Sequence, residues 1–133
     1  MSSVSIQAVS RTFEERKGQR TQALLPVDFE VRDNDFVTIL GPSGCGKSTL
    51  LRIVAGLDHA TSGRVLLDGA PVEGPGADRG MVFQSYTLFP WLTIEQNIRF
   101  GLRERGMPEA LQKERAAYFI AKVGLRGFEQ HFP

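Results

Sequence analysis

The chain has 133 residues, which is the size of one modest domain or of part of one. Sixteen basic and fifteen acidic residues leave a net charge of +1, which argues against nucleic acid or an anionic membrane surface as the main partner. The single cysteine, Cys45, excludes an internal disulfide and favours a reducing, cytosolic setting, and no run reaches the ~18 apolar residues of a membrane span.

The N-terminal part predicts an antiparallel pair of strands. Apolar and polar residues alternate over 4–8 and again over 24–31, as in half-exposed strands, and the charged residues between them, 14–22, predict a solvated loop. Residues 35–40 follow with a nearly uninterrupted apolar run, which is typical of a strand buried on both faces in a parallel sheet. This strand is expected to lead directly into Gly41.

The middle of the chain predicts a helix followed by short strands. Residues 47–55 carry apolar side chains at helical spacing, and Gly56 can take the left-handed conformation that ends a helix. Residues 62–69 predict a short strand that ends in a tight turn at Asp68 and Gly69. Residues 80–84 predict another short apolar strand.

The last third predicts helices. Thr93 and Gln96 match a capping box, which predicts a short helix that runs to about Phe100. Pro108 opens a longer helix that is expected to end at Gly124. Apolar residues at i, i+3, i+4 and i+7 predict a core-facing stripe on this helix: Ala116, Phe119, Ile120 and Val123.

The glycine-rich segment after the first apolar strand carries the chemistry. Residues 41–48 fulfil the P-loop pattern G-x-x-x-x-G-K-[ST], and the expected strand before it and helix after it agree with that assignment. Glycine backbones approach phosphates without Cβ clashes, while successive N–H groups and the helix N-terminus point at the anion. Lys47 is expected to pair with the β and γ phosphates, and the Ser48 hydroxyl to ligate Mg²⁺.

ATP or GTP with Mg²⁺ is the ligand that this loop predicts. A chance match would occur in roughly one random chain in two hundred of this length, before the strand and helix are also required. The predicted cradle comprises Gly41, Pro42, Ser43, Gly44, Cys45, Gly46, Lys47, Ser48 and Thr49.

Around this loop the sequence resembles the ABC-transporter ATPases. The likeness begins with GPSGCGKSTLLRIVAGL at 41–57 and continues with TSGRV at 61–65 and DRGMVFQSYTLFPWLT at 78–93, in the family's order. It extends from about Ile6 to the C-terminus, and the GADRG and LFPWLT segments are most similar to importers of the nitrate, sulfonate and taurine group. The resemblance implies an α/β P-loop NTPase core of the ABC ATPase type. An N-terminal antiparallel β subdomain and the start of the helical subdomain would belong to it, with the domain truncated.

The resemblance also implies roles for single residues. Gln84 matches the Q-loop glutamine, which contacts Mg²⁺ and the attacking water, so that Gln84 and Lys47 would be the catalytic pair of this chain. Phe13 occupies the place of an aromatic ring that stacks on adenine. The alternatives are ordinary strand packing for Phe13 and an exposed polar residue at a strand end for Gln84. The β subdomain and P-loop core are expected over about 1–84, and the Q-loop with a partial helical subdomain over about 85–133.

The partners follow from the segment after Gln84. Residues 86–92 are apolar, aromatic and interrupted by proline, which favours an interaction surface with Trp91 as an anchor; the alternative is a hydrophobic loop folded onto its own core. The resemblance implies that the Gln84–Thr93 region receives a coupling helix from a membrane permease. It also implies a second ATPase subunit in a homodimer, an indirect link to a solute-binding protein, and a peripheral place on the cytoplasmic face of the inner membrane.

Three motifs of complete ABC ATPase domains are not found in the sequence: the LSGGQ signature, a Walker B strand with its catalytic glutamate, and the switch histidine. Asp68 mimics the Walker B aspartate, but Gly69 stands where the glutamate belongs, and His59 and His131 are expected at the surface. We therefore expect a chain that is nearly inactive and poorly stable alone. There are two alternative functions. One is a short module that binds a nucleotide without hydrolysing it, and the other is another P-loop ATPase or kinase.

Overall fold

The computed structural model describes residues 2–14, 18–85 and 87–133. The chain forms two compact units, Met1–Val82 and Phe83–Pro133. The elements of the first unit are β1 (Val4–Glu14), β2 (Arg20–Val31), α1 (Lys47–Val54), β3 (Ser62–Leu67) and β4 (Ala70–Pro71). Those of the second unit are α2 (Ile94–Glu104) and α3 (Glu109–Lys122).

The described part of the first unit contains an antiparallel sheet in the order β2-β1-β3-β4. The predicted pairing of the first two strands is confirmed, with Val4 opposite Val31 at one end and Glu14 opposite Arg20 at the other. Both strands are longer than the alternation predicted, so the expectation of a loop over 14–22 is wrong at its two ends. Charge does not exclude strand structure here, because Glu14 and Arg20 form an exposed ion pair of 3.0 Å across the edge of the sheet. Residues 15–17 lie outside the described part.

The core of this unit lies between the sheet and one face of α1. Its buried members are Ile6, Val9, Leu24 and Val65 from the strands and Leu50 and Ile53 from the helix. Leu50 and Ile53 are three positions apart and therefore share a helix face. Burial of side chains of this size contributes about 1.5–3 kcal/mol each, which fixes α1 against the strands.

The predicted end of α1 at Gly56 is confirmed. Gly56 has φ +75°, its amide donates to the carbonyl of Ile53 at 3.0 Å, and the amide of Leu57 donates to the carbonyl of Arg52 at 2.8 Å. These two bonds satisfy the last carbonyls of the helix in a Schellman motif.

The turn between β3 and β4 also agrees with the sequence. Asp68 and Gly69 have φ values of +51° and +82°, as a two-residue hairpin turn of type I′ requires, and they connect Leu67 to Ala70. The Asp68 carboxylate accepts a hydrogen bond of 2.6 Å from the amide of Ser3. Its role is therefore structural, as the turn interpretation predicted.

The predictions of strands over residues 35–40 and 80–84 are wrong. Neither segment is in a strand, and Phe36, Leu40 and Val82 are 94%, 86% and 98% exposed. A strand buried on both faces needs neighbours that satisfy its amides and carbonyls, and no described segment pairs with these residues. An apolar run alone therefore does not produce a strand at either place.

In the second unit, the predicted capping box at the start of α2 is confirmed. The Gln96 amide donates to the Thr93 hydroxyl at 3.2 Å, and the Thr93 amide donates to the Gln96 side-chain oxygen at 2.9 Å. The helix continues to Glu104, one turn beyond the predicted end, and Gly106 then takes φ +69°. Among the described residues of the chain, no helix is long and apolar enough to cross a membrane.

The predicted stripe on α3 is only half buried. Ala116 and Ile120 are buried, but Phe119 and Val123 are 45% and 63% exposed, so their assignment to the core is wrong. The third buried residue on the helix is Gln112, whose amide nitrogen donates to the carbonyl of Met107 at 2.6 Å. Residues 112, 116 and 120 form one i, i+4 row that faces the unit's interior, while 119 and 123 belong to the neighbouring row.

Candidate functional site

The glycine-rich loop between residues 41 and 46 leads into α1 with an uncapped helix start. Gly46 is the N-cap and offers no side chain, and the first intrahelical bond runs from the Leu50 amide to the Gly46 carbonyl at 2.9 Å. The amides of residues 47–49 therefore have no acceptor within the helix. They stand at the positive end of the helix dipole, where an anion is stabilised.

Gly46 is required where the loop meets β2. Its φ is +95°, and a Cβ there would collide with the carbonyl oxygen of Ala23 and lie 3.1 Å from Cδ1 of Leu24. Gly44 also has a positive φ, +80°, but a Cβ there would meet nothing within 4 Å. The glycine at 46 is therefore needed for both its conformation and its size, whereas the glycine at 44 is needed for its conformation alone.

A β-bulge brings Ala23 to the loop. The pairing of β1 with β2 passes from Arg11 opposite Leu24 to Thr12 opposite Gln22, so Ala23 is left without a cross-strand partner. A shallow depression of about 160 Å³ is lined by Ala23, Gly44, Gly46, Lys47, Ser48 and Thr49. Ala23 is not among the residues predicted for this site, because a bulge depends on the register of two strands and leaves no local signal in the sequence.

Lys47 is folded over the loop. Its ammonium donates to the carbonyls of Gly41 at 2.8 Å and Pro42 at 2.7 Å and lies 3.5 Å from the Cys45 sulfur. These contacts hold the ammonium over the loop that precedes the helix start. None of the described residues that line the depression is acidic, so its electrostatic character favours an anion.

The predicted cradle residues do not all play the same part. Gly44 and the run 46–49 line the depression, while Gly41, Pro42 and Cys45 contact the Lys47 ammonium. Ser43 is exposed in the turn of the loop. The Ser48 hydroxyl group belongs to an exposed residue of the helix's first turn, so it is accessible to a ligand at the depression.

Phe13 lies near the end of β1, opposite Thr21 of β2. The residue is 38% exposed, which differs from a fully packed strand residue. One face of its ring is covered by the guanidinium of Arg11, 4.5 Å from the ring centroid. Arg11 is not among the residues predicted from the sequence for this site.

Gln84 belongs to the second unit and is exposed in a bend that follows residues 80–83. Of the predicted interaction segment 86–92, Tyr86 lies outside the described residues. Leu88 and Trp91 are exposed, and Phe89 packs on Phe100 with 4.6 Å between ring centroids.

Asn97 of α2 fixes the backbone of residues 89–93. Its side-chain oxygen accepts from the Phe89 amide at 2.9 Å, and its side-chain nitrogen donates to the carbonyls of Phe89 at 3.1 Å, Leu92 at 3.0 Å and Thr93 at 3.0 Å. An apolar groove of about 510 Å³ lies beside it, lined by Leu88, Ile94, Asn97, Ile98, Phe119, Val123, Leu125 and Pro133. Residues 89–92 therefore form an ordered turn, and Leu88 and Trp91 are exposed to solvent.

The comparisons with known proteins agree on one family. A family model described as ABC transporter matches residues 24–133. The chain is 52% identical over 130 residues to an uncharacterized ABC transporter ATP-binding protein of Methanocaldococcus jannaschii. It is 45% identical over 130 residues to the nitrate import ATP-binding protein NrtD of Synechocystis sp. and 49% identical over 131 residues to the taurine import ATP-binding protein TauB of Burkholderia pseudomallei.

Each of these alignments covers 98% of this chain and 48%, 48% and 50% of the respective relative. The chain therefore spans about half the length of the curated relatives it matches. Among solved structures it is similar to a dimeric ATP-binding cassette in a post-hydrolysis state bound to ADP and Pi. That match has a TM-score of 0.84 at 30% identity and covers 98% of this chain and 61% of the other.

Proposed function

The chain belongs to the ABC transporter family and has the α/β P-loop fold of its ATPases, and from this premise we propose that it binds ATP together with Mg²⁺. One observation carries the proposal: amides 47–49, which have no acceptor within the helix, and a glycine without room for a Cβ meet at a depression that Lys47 also lines. Such a group of donors suits a polyphosphate, whose oxygens accept several hydrogen bonds at once.

The individual residues suit distinct parts of the nucleotide. Lys47 would exchange its carbonyl acceptors for β- and γ-phosphate oxygens, and the amides of residues 46–49 would hold the α and β phosphates. The Ser48 hydroxyl is a hard oxygen donor of the kind that Mg²⁺ prefers, so the residues present fit the ion, and Gln84 is proposed as its second protein contact. Bound Mg²⁺ would neutralise phosphate charge. Phe13 is proposed to stack on the adenine.

We also propose that the whole protein couples ATP hydrolysis to import through a membrane permease. The relatives named for nitrate and taurine import support import over export. The exposed apolar turn that contains Leu88 and Trp91 supports the Gln84–Thr93 region as the permease contact. A second ATPase subunit is supported by the dimeric cassette structures, and a solute-binding protein would act indirectly. The protein would then lie on the cytoplasmic face of the inner membrane.

Within this scheme, residues 1–84 would form the β subdomain and P-loop core, and 85–133 the Q-loop and part of the helical subdomain. These 133 residues alone are proposed to bind nucleotide without turning it over. The support is that hydrolysis requires a carboxylate to orient the attacking water, and no described residue lining the depression carries one.

The phosphate assignment is tested by Lys47→Ala in the natural, full-length polypeptide that contains these residues. Loss of the ammonium removes charge-assisted hydrogen bonds and should weaken MgATP binding about 10- to 100-fold, measured by equilibrium dialysis. The matched control is Lys122→Ala, which removes the same charge from α3 and should leave the affinity unchanged. Equal affinities of the Lys47→Ala variant and the unsubstituted protein would reject the assignment.

A further inference from the structure

Arg11 contacts the ring of Phe13 within the chain itself, without a bound nucleotide. The two residues are two positions apart on β1, so their side chains project from the same face of the strand. The guanidinium carbon lies 4.5 Å from the ring centroid, within the range of a cation–π contact. One face of the ring is therefore covered, while the residue remains 38% exposed.

Asp58 holds Arg11 in this position. Its carboxylate lies 2.8 Å from the Arg11 guanidinium. The Arg11 side chain is only 23% exposed and the Asp58 side chain 19%. Asp58 follows Gly56 by two residues, in the bend after the end of α1. The ion pair thus ties the end of β1 to the helix that begins at the phosphate loop.

The sheet register places Phe13 close to the phosphate depression. Phe13 pairs with Thr21, and Thr21 is two residues from Ala23, the bulge residue that lines the depression. At about 3.3 Å per residue and 4.8 Å between strands, the backbones of Phe13 and Ala23 are roughly 8 Å apart. A base stacked on Phe13 can thus belong to the same nucleotide as phosphates at Lys47.

We propose that Arg11 is a positioning residue for the adenine base. By covering one face of the Phe13 ring while Asp58 restrains it, Arg11 holds the ring in a single orientation with its other face free for the base. A platform that is ordered before binding loses less conformational entropy when the base stacks. The inference rests on the proposed ATP binding, but it concerns the base alone and makes no claim about the phosphates.

The test separates base binding from phosphate binding. In the full-length polypeptide, the dissociation constants of MgATP and of magnesium tripolyphosphate, which has no base, are measured by isothermal titration calorimetry. Arg11→Ala should weaken MgATP about fivefold and leave tripolyphosphate within twofold. Phe13→Ala should weaken MgATP about tenfold or more and likewise spare tripolyphosphate. Because Arg11 acts through the ring, the double variant should bind MgATP no more weakly than Phe13→Ala alone.

Two further variants separate the effect of the planar guanidinium from that of a lost positive charge. Arg11→Lys retains the ion pair with Asp58 but not the planar guanidinium, and it should lose about twofold to threefold for MgATP only. Arg20→Ala removes the same charge from β2, next to the residue that pairs with Phe13, and should change neither affinity. Thermal unfolding of each variant shows whether the fold is retained.

Each remaining outcome overturns the proposal. Equal weakening of both ligands by Arg11→Ala means that Arg11 acts on general stability, and no weakening of MgATP means that it does nothing for the base. Tighter MgATP binding by Arg11→Ala means that the guanidinium occupies the place of the base. If the unsubstituted protein binds neither ligand, the proposed function itself fails. If it binds both ligands, and the Arg11 variants alone have the same two dissociation constants as the unsubstituted protein, the proposed function is retained and the role of Arg11 is rejected.

Discussion

Among glycine-to-alanine substitutions in the loop at residues 41–46, Gly46→Ala should disturb the loop most. The added Cβ is forced into a residue at φ +95° and collides with the carbonyl of Ala23. The left-handed conformation costs an L-residue about 1–2 kcal/mol, and overpacking against fixed backbone costs a further 1–3 kcal/mol. The sum, about 2–5 kcal/mol, is a large part of the 5–15 kcal/mol that stabilises an ordinary domain.

Relief of this collision requires the loop to move away from the bulge at Ala23, which widens the depression and separates its amides from the Lys47 ammonium. Gly46→Ala should therefore lower both the free energy of unfolding in urea and the affinity for MgATP in the full-length polypeptide. Gly44→Ala is the matched control, since it has φ +80° but open space around its Cβ and should lose only the conformational 1–2 kcal/mol. Equal destabilisation by the two substitutions would refute the argument that the Ala23 carbonyl determines the need for glycine.

Two further predictions concern the second unit. Asn97→Ala removes the hydrogen bonds to Phe89 and Leu92 and should lower the free energy of unfolding by about 2–3 kcal/mol. Unfolding is measured by the fluorescence of Trp91, the one tryptophan of the sequence. A loss under about 0.5 kcal/mol would contradict this prediction. Hydrogen bonding and charge from Lys113, then from Arg99, hold the pKa of Glu109 below its usual 4.5. The stabilisation from Glu109 is therefore present above pH 4.5 and lost as the pH falls through the lower folded-state pKa. Glu109→Gln should remove that part of the acid unfolding curve, and an unchanged curve would show that the ion pair does not contribute.

Local features of the fold were predictable because they depend on residues a few positions apart. The capping box at Thr93, the helix end at Gly56 and the hairpin turn at Asp68 are confirmed with the expected bonds or φ values. Each is specified by side chains or glycines within one turn of the backbone, so the sequence carries the complete signal.

Predictions that depended on distant neighbours were less successful. The apolar runs at 35–40 and 80–84 predicted buried strands, yet both are largely exposed outside any strand. A run of apolar residues reports a tendency to be buried but does not specify which segment supplies the partner hydrogen bonds. The α3 stripe failed for a related reason, since Phe119 and Val123 have the right spacing but lie beside the buried row.

The sequence by itself determined the family, because the P-loop pattern at 41–48 stands between recognisable segments in the family's order; the phosphate roles of Lys47 and Ser48 stay predictions. The roles of Gln84 and Phe13 stay predictions. Only the tertiary structure decided that Ala23 bulges against Gly46 and that Arg11 covers Phe13 while bound to Asp58. These residues meet because strand register and the packing of α1 bring distant parts of the chain together, and such long-range contacts leave no pattern in the neighbouring residues.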